Sequence, residues 1–248
     1  MTIENEKDLE HLRTIGKIVG TVLNTMIQKT EPGMTTRELD VIGKHLLDHY
    51  GARSAPQLSY NFPGATCISI NEEAAHGIPG ERVIQKGDMV NIDVSAELDG
   101  YFADTGGSFV VPPVSPLKQR LCQATQQALY SAISKAQADQ PINVIGKAIQ
   151  KVAKDKGYKV IKNLCSHGVG RALHEEPKEI PGYYDPKDKR RLWEGLVITI
   201  EPFLSTKSRF VTEAGDGWTL AAAAGNLSAQ YEHTMVITKG RPILLTEV

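Results

Sequence analysis

Two stretches of this chain repeat one design. Gly87-Asp88-Met89-Val90-Asn91-Ile92-Asp93 reads G-x-x-V-x-I-D, and Gly195-Leu196-Val197-Ile198-Thr199-Ile200-Glu201 reads G-x-x-I-x-I-E. Each is an apolar run that closes on a carboxylate. Each also has a histidine upstream: His76 lies 17 residues before Asp93, and His174 lies 27 before Glu201. Helix pairs stand before or between these units. The echo predicts two half-domains of similar design, each ending a buried strand in an acid.

The first unit runs on into a hairpin over 89–111. Asp99-Gly100 is a strong signal for a two-residue turn, because both positions must adopt positive φ. Leu98 then faces Tyr101, Ser95 faces Asp104, and Asp93 faces Gly106. Side chains alternate along a strand, so Asp93, Ser95, Asp104 and Gly106 share one face. Asp93 and Asp104 become diagonal neighbours with backbones roughly 7–8 Å apart.

Two buried like charges are costly, and one would normally stay protonated. A divalent cation between them removes the conflict. The plainer alternative is an aspartate capping a turn and a second one paired with Arg or Lys at a sheet edge. On the hairpin alone the two readings stand level.

Other residues bear on the choice. Ser166 to Pro177 holds His167 and His174 among glycines, which let backbone or substrate approach closely. Glu201 closes an apolar strand, and Glu232 sits in the strand-like run Ala229 to Val236. Four acids on core-like strands plus one histidine suit a pair of hard or borderline cations such as Mn, Co, Fe or Zn. A structural zinc site prefers Cys and His.

Around these units the pattern predicts helices over 5–29, from Thr35 to about Tyr50, over 117–138 and over 143–156. Thr35 with Glu38 forms a capping box. Pro141-Ile142-Asn143 is expected to cap the last helix. Strands are expected at 66–70, 159–162, 196–201, 208–212 and 230–238. No low-complexity linker divides residues 1–248, so they read as one α+β domain.

Composition excludes several classes. Net charge is -1, so no overall field draws the chain to nucleic acid or to a membrane surface. The longest apolar runs fall far short of the roughly 20 residues a membrane span needs. The start, MTIENEKDLE, is acidic and polar, unlike a signal peptide. Three cysteines without paired spacing argue against a disulfide framework and fit a reducing cytoplasm.

The motifs NEEAAHGIP (71–79), NIDVSAELDGYFADT (91–105), SHGVGRALHEEP (166–177), ITIEPF (198–203) and YEHT (231–234) together resemble the type I methionine aminopeptidases of the bacterial short form. The resemblance spans nearly the whole chain. It implies the pita-bread fold, an antiparallel core with a pseudo-twofold axis flanked by helices. It also implies a metalloaminopeptidase that removes the initiator methionine, by attack of a dimetal-bridged hydroxide, ahead of a small second residue.

The resemblance further implies residue roles. Asp93 corresponds to the chelating ligand of one metal, Asp104 and Glu232 to bridging carboxylates, and His167 and Glu201 to ligands of the other metal. Glu201 doubles as proton shuttle, and His76 and His174 face the scissile amide. Phe62, Cys67 and Trp218 correspond to the methionine pocket, with Ser59 and Leu173 at its rim. Asn71 and Ser228 correspond to a monovalent-cation site for Na or K. The partners implied are N-terminal methionine and, transiently, the ribosome, with the enzyme a monomer. Ser166 and Leu173 depart from common family choices, which bears on the pocket rim rather than the reaction. Two rivals remain: an X-Pro aminopeptidase or prolidase-like hydrolase, and a non-catalytic relative that binds peptides.

Overall fold

A computed structural model describes residues 1–248. Helix α1 (Glu6–Lys29) begins at Asn5, whose side chain accepts a hydrogen bond from the Asp8 amide at 3.0 Å. Its buried residues Leu12, Ile15, Val19, Val22 and Met26 recur every three or four positions, giving one apolar stripe. Helix α2 (Thr36–His49) opens with the capping box expected. The Glu38 amide donates to Thr35 Oγ1 at 3.1 Å, and the Thr35 amide donates to Glu38 Oε2 at 2.7 Å. The short helix α3 (Ala55–Tyr60) follows, and α4 (Pro116–Ile133) and α5 (Asn143–Lys156) pack together later in the chain.

The hairpin joins strands Met89–Leu98 and Tyr101–Val110. Asp99 and Gly100 take φ of 54° and 81°, the left-handed pair that a right-twisted two-residue turn requires. The register is Leu98 to Tyr101, Ser95 to Asp104 and Asp93 to Gly106, as the turn chemistry demands. Strand Met89–Leu98 also pairs with Arg53–Ser54 and Cys67–Ile70. Helices α1 and α2 bury their apolar faces in the same core as this sheet.

The second sheet runs Ile243–Leu244, His233–Val236, Val197–Ile200, Cys165–Gly168, Glu175–Pro181, all antiparallel. Residues of α4 and α5 share a core with it. Each half therefore sets a helix pair on an antiparallel sheet, and the echoed motifs occupy inner strands of the two sheets. The halves are knitted where Tyr101–Val110 meets residues 231–234. Thr105 Oγ1 donates to the Glu232 carbonyl at 2.8 Å, the Glu232 amide donates to the Gly106 carbonyl at 2.9 Å, and Thr234 Oγ1 donates to the Asp104 carbonyl at 2.7 Å.

Several expectations need correction. No strand covers 208–211; a strand begins only at Thr212–Glu213. Side chains take the backbone groups there instead: Asn163 bonds both polar groups of Val211, and Asn226 Oδ1 accepts from Lys207 and Ser208. The stretch 230–238 is split, with Ser228–Gln230 and His233–Val236 in different sheets. Helix α4 stops at Ile133 rather than 138. Asn143 does not cap α5; its side-chain amide donates to the Asp185 and Asp188 carbonyls at 2.9 and 3.0 Å. No helix is long and apolar enough to cross a membrane.

Candidate metal centre

Five polar side chains converge at the seam between the sheets. Asp93 and Asp104 project from the two strands of the hairpin, and both line the same cavity. His167 comes from Cys165–Gly168, Glu201 follows Val197–Ile200 directly, and Glu232 lies in the break between Ser228–Gln230 and His233–Val236. His167 Nε2 stands 3.8 Å from Asp104 Oδ2 and 3.5 Å from Glu201 Oε1. One ligand atom each from Asp104, His167 and Glu232 lies within 4.8 Å of the others.

The backbone beneath is held by hydroxyls and amides. The Glu201 amide donates to Ser166 Oγ at 2.9 Å, the Asp104 amide to Thr234 Oγ1 at 2.9 Å, and the His167 amide to Thr199 Oγ1 at 3.2 Å. Gln230 Nε2 donates to Glu232 Oε2 at 2.9 Å. His167 Nδ1 lies 2.9 Å from the Gly168 carbonyl. Carbonyls only accept, so the neutral ring carries its proton on Nδ1 and turns the Nε2 lone pair toward the acids.

Burial dominates the electrostatics. Asp104, Glu201 and Glu232 are 6%, 9% and 2% exposed. Burial first, then the charge of Glu232, pushes the Asp104 carboxyl well above the usual range. Burial does the same to Glu201, with Asp104 next, and to Glu232, with Glu201 next. Asp93 is pushed up to about 6, mainly by burial. Burial also draws His167 down to about 3, so it stays neutral.

The residues fit divalent cations. Asp104 Oδ1 and Glu232 Oε1 are buried and have no hydrogen-bond partner. An unpaired buried acceptor costs about 1–3 kcal/mol, and a cation between these two atoms satisfies both. The donor set is four carboxylates and one imidazole. Burial holds the Cys67 thiol well above its ordinary value, so it offers no thiolate.

A cavity of about 280 Å³ opens onto this cluster. Asp93, Asp104, His167 and Glu201 line it, together with His76, His174, Phe62, Cys67, Leu173 and Trp218. Every residue expected to bind substrate therefore faces one space. Ser59, expected at its rim, is not part of the lining. Glu232 does not line this cavity and joins the cluster through Asp104 and His167. Phe62 and Trp218 meet edge to face, 5.2 Å between centroids. Asp216 Oδ1 accepts from the Trp218 and Thr219 amides, which fixes the loop that presents the indole.

His76 stands in the left-handed region at φ 55°, an uncommon conformation for a side-chain-bearing residue. Gly77 beside it admits no Cβ, which would sit 2.1 Å from the Ile68 carbonyl oxygen. The His174 ring lies 4.1 Å from that of His167. Burial, then the charge of His76, lowers its pKa. Sequence reasoning missed Tyr60, which lines the same cavity and bonds His174; six residues of helix give too little periodicity to reveal it.

The comparisons agree with this architecture. Residues 10–239 match the model for metallopeptidase family M24. The methionine aminopeptidase 2 of Bacillus subtilis is 47% identical over 249 residues, covering all of both chains. The crystal structure of a methionine aminopeptidase from Thermotoga maritima superposes with a TM-score of 0.95 at 30% identity, over the full length of both. The prolidase of Pyrococcus horikoshii superposes at 0.78 with 22% identity, this chain covering 64% of it, a likeness of fold alone. The chain belongs to metallopeptidase family M24 and, within it, to the methionine aminopeptidases.

Proposed function

We propose that residues 1–248 act as one catalytic domain that removes N-terminal methionine from peptides and nascent proteins, preferring a small second residue. One observation carries this reading: two orphaned buried carboxylate oxygens lie within a cluster that opens onto an apolar, aromatic-walled cavity. Asp93, Asp104, His167, Glu201 and Glu232 would hold two divalent cations. When bound, such a pair supplies Lewis acidity that makes water a nucleophile near neutral pH.

The chain's own groups do the rest. Phe62, Cys67 and Trp218 take the methionine side chain, since a polarisable thioether packs well against ring edges. The Glu201 carboxylate takes the proton of the attacking water and passes it to the leaving amine. His174 donates a hydrogen bond to the carbonyl oxygen as negative charge develops. His76 holds the nitrogen side of the scissile bond.

The same reading takes Co, Mn, Fe or Zn as the divalent ion. It places Na or K beside Asn71 and Ser228, where the Ser228 amide donates to the Asn71 carbonyl at 3.2 Å. It sets the protein in the cytoplasm as a monomer that meets nascent chains transiently at the ribosome. The experiment is hydrolysis of Met-Ala-Ser and Ala-Pro-Ala by metal-stripped protein resupplied with Mn. Methionine release from the first alone supports the reading. Cleavage of the second alone moves the chain to X-Pro hydrolysis, and cleavage of neither makes it a binding protein.

A further inference from the structure

We propose that Tyr60 is a positioning residue for this reaction: its phenol O–H donates to Nδ1 of His174 and thereby fixes that ring's proton on Nε2. The inference rests on the aminopeptidase reading, since it concerns how one of the two cavity-facing histidines is prepared for its role.

The contact is short, 2.7 Å between the Tyr60 hydroxyl and His174 Nδ1. A neutral imidazole has one N–H and one lone pair, so two arrangements satisfy this distance. In one, Nδ1–H donates to the phenol oxygen and Nε2 keeps a lone pair. In the other, the phenol donates and Nε2 carries the proton. Phenol is the better acid and imidazole the better base, which favours O–H to N. The surroundings favour the same arrangement. The cavity onto which His174 opens is lined by Asp93, Asp104 and Glu201. A lone pair on Nε2 would add negative potential there, while an N–H offsets it. Burial and the charge of Asp104 push the phenol pKa up, so it stays a donor. A peptide carbonyl offers only acceptors, so only the Nε2–H form can assist it.

Tyr60 is placed for this task by its neighbours. It ends α3, whose N-cap Ser54 donates its hydroxyl to the Ala65 carbonyl at 2.7 Å. Asn61 then turns through φ 56°, and Phe62 is buried against Trp218. The phenol is solvent-exposed along one side, yet its backbone is pinned between buried Pro56 and buried Phe62. The His174 ring is thus held between Tyr60, at 5.6 Å, and His167, at 4.1 Å.

The test uses the full chain and Tyr60→Phe, which removes one oxygen and keeps the ring. Two-bond ¹H–¹⁵N correlation on metal-free protein reads the His174 tautomer, with His174→Gln assigning the signals. The expected wild-type pattern is protonated Nε2, shifting toward a mixture in Tyr60→Phe. With Mn restored, kcat on Met-Ala-Ser should fall about tenfold while KM and bound metal change less than about twofold. A wild-type ring protonated on Nδ1, or a Tyr60→Phe enzyme with wild-type kcat, overturns the proposal. Wild-type protein that releases no methionine would instead overturn the aminopeptidase reading, and the tautomer pattern would still decide the Tyr60–His174 bond.

Discussion

Asp104 and Glu232 reach one site from opposite sides of the seam between the two sheets, and each buries a carboxylate oxygen that no donor meets. Fold stability and function meet at this pair. The metal-free chain carries the cost of two unsatisfied acceptors beside two further acids. A group that binds there acts on folding and on chemistry together.

Metal binding should therefore stabilise the fold measurably. Manganese at a hundredfold excess over its dissociation constant is worth about 2.7 kcal/mol to the native state. For a chain of this size that is roughly 5–10 °C in Tm. Differential scanning calorimetry of wild type with and without Mn checks it. Asp104→Asn should lose most of the increment and its methionine-releasing activity.

The acids also set the pH dependence of the metal-free protein. Asp104, Glu201 and Glu232 have folded-state pKa values raised well above their ordinary ones. Their contribution is present below the unfolded value and is lost as pH rises through the folded one. His167 is drawn down to about 3, so its effect works the other way but ends near pH 6.5, where the unfolded imidazole has lost its proton. Above pH 6.5 the acids act without that opposition. Urea midpoints of the metal-free chain should fall over this range, and saturating Mn should flatten or reverse the slope.

The aromatic wall should govern affinity more than chemistry. Trp218→Ala removes the edge-to-face partner of Phe62 and opens the cavity. Steady-state kinetics on Met-Ala-Ser should show KM raised about tenfold, with bound metal unchanged. An unaltered KM would remove Trp218 from the pocket.

Gly77→Ala forces a Cβ to within 2.1 Å of the Ile68 carbonyl oxygen, and backbone cannot rotate aside as a side chain can. A loss of about 1–3 kcal/mol in urea denaturation is expected. Activity should fall as well, because His76 is the preceding residue.

The hairpin was legible because an Asp-Gly turn determines register, and register places Asp93 and Asp104 on one face. Glu201 and Glu232 were legible as acids where the neighbouring residues are apolar. Other features left no periodic trace. Residues 208–211 have strand-like residues, but Asn163 and Asn226 satisfy their backbone by side-chain contacts that lie far off in sequence. Strand Glu175–Pro181 contains two prolines, which argue against a strand, yet it lies at a sheet edge where proline is tolerated. Tyr60 was hidden because its partner His174 is 114 residues away.

The most direct measurement is a titration of Mn into metal-stripped protein, following both the heat of binding and free methionine released from Met-Ala-Ser. The account predicts no release without metal, activity that rises with occupancy, and about two equivalents bound per chain, with the activity and most of the bound metal lost in Asp104→Asn. Full release by the stripped protein in excess chelator, or by Asp104→Asn, would contradict it.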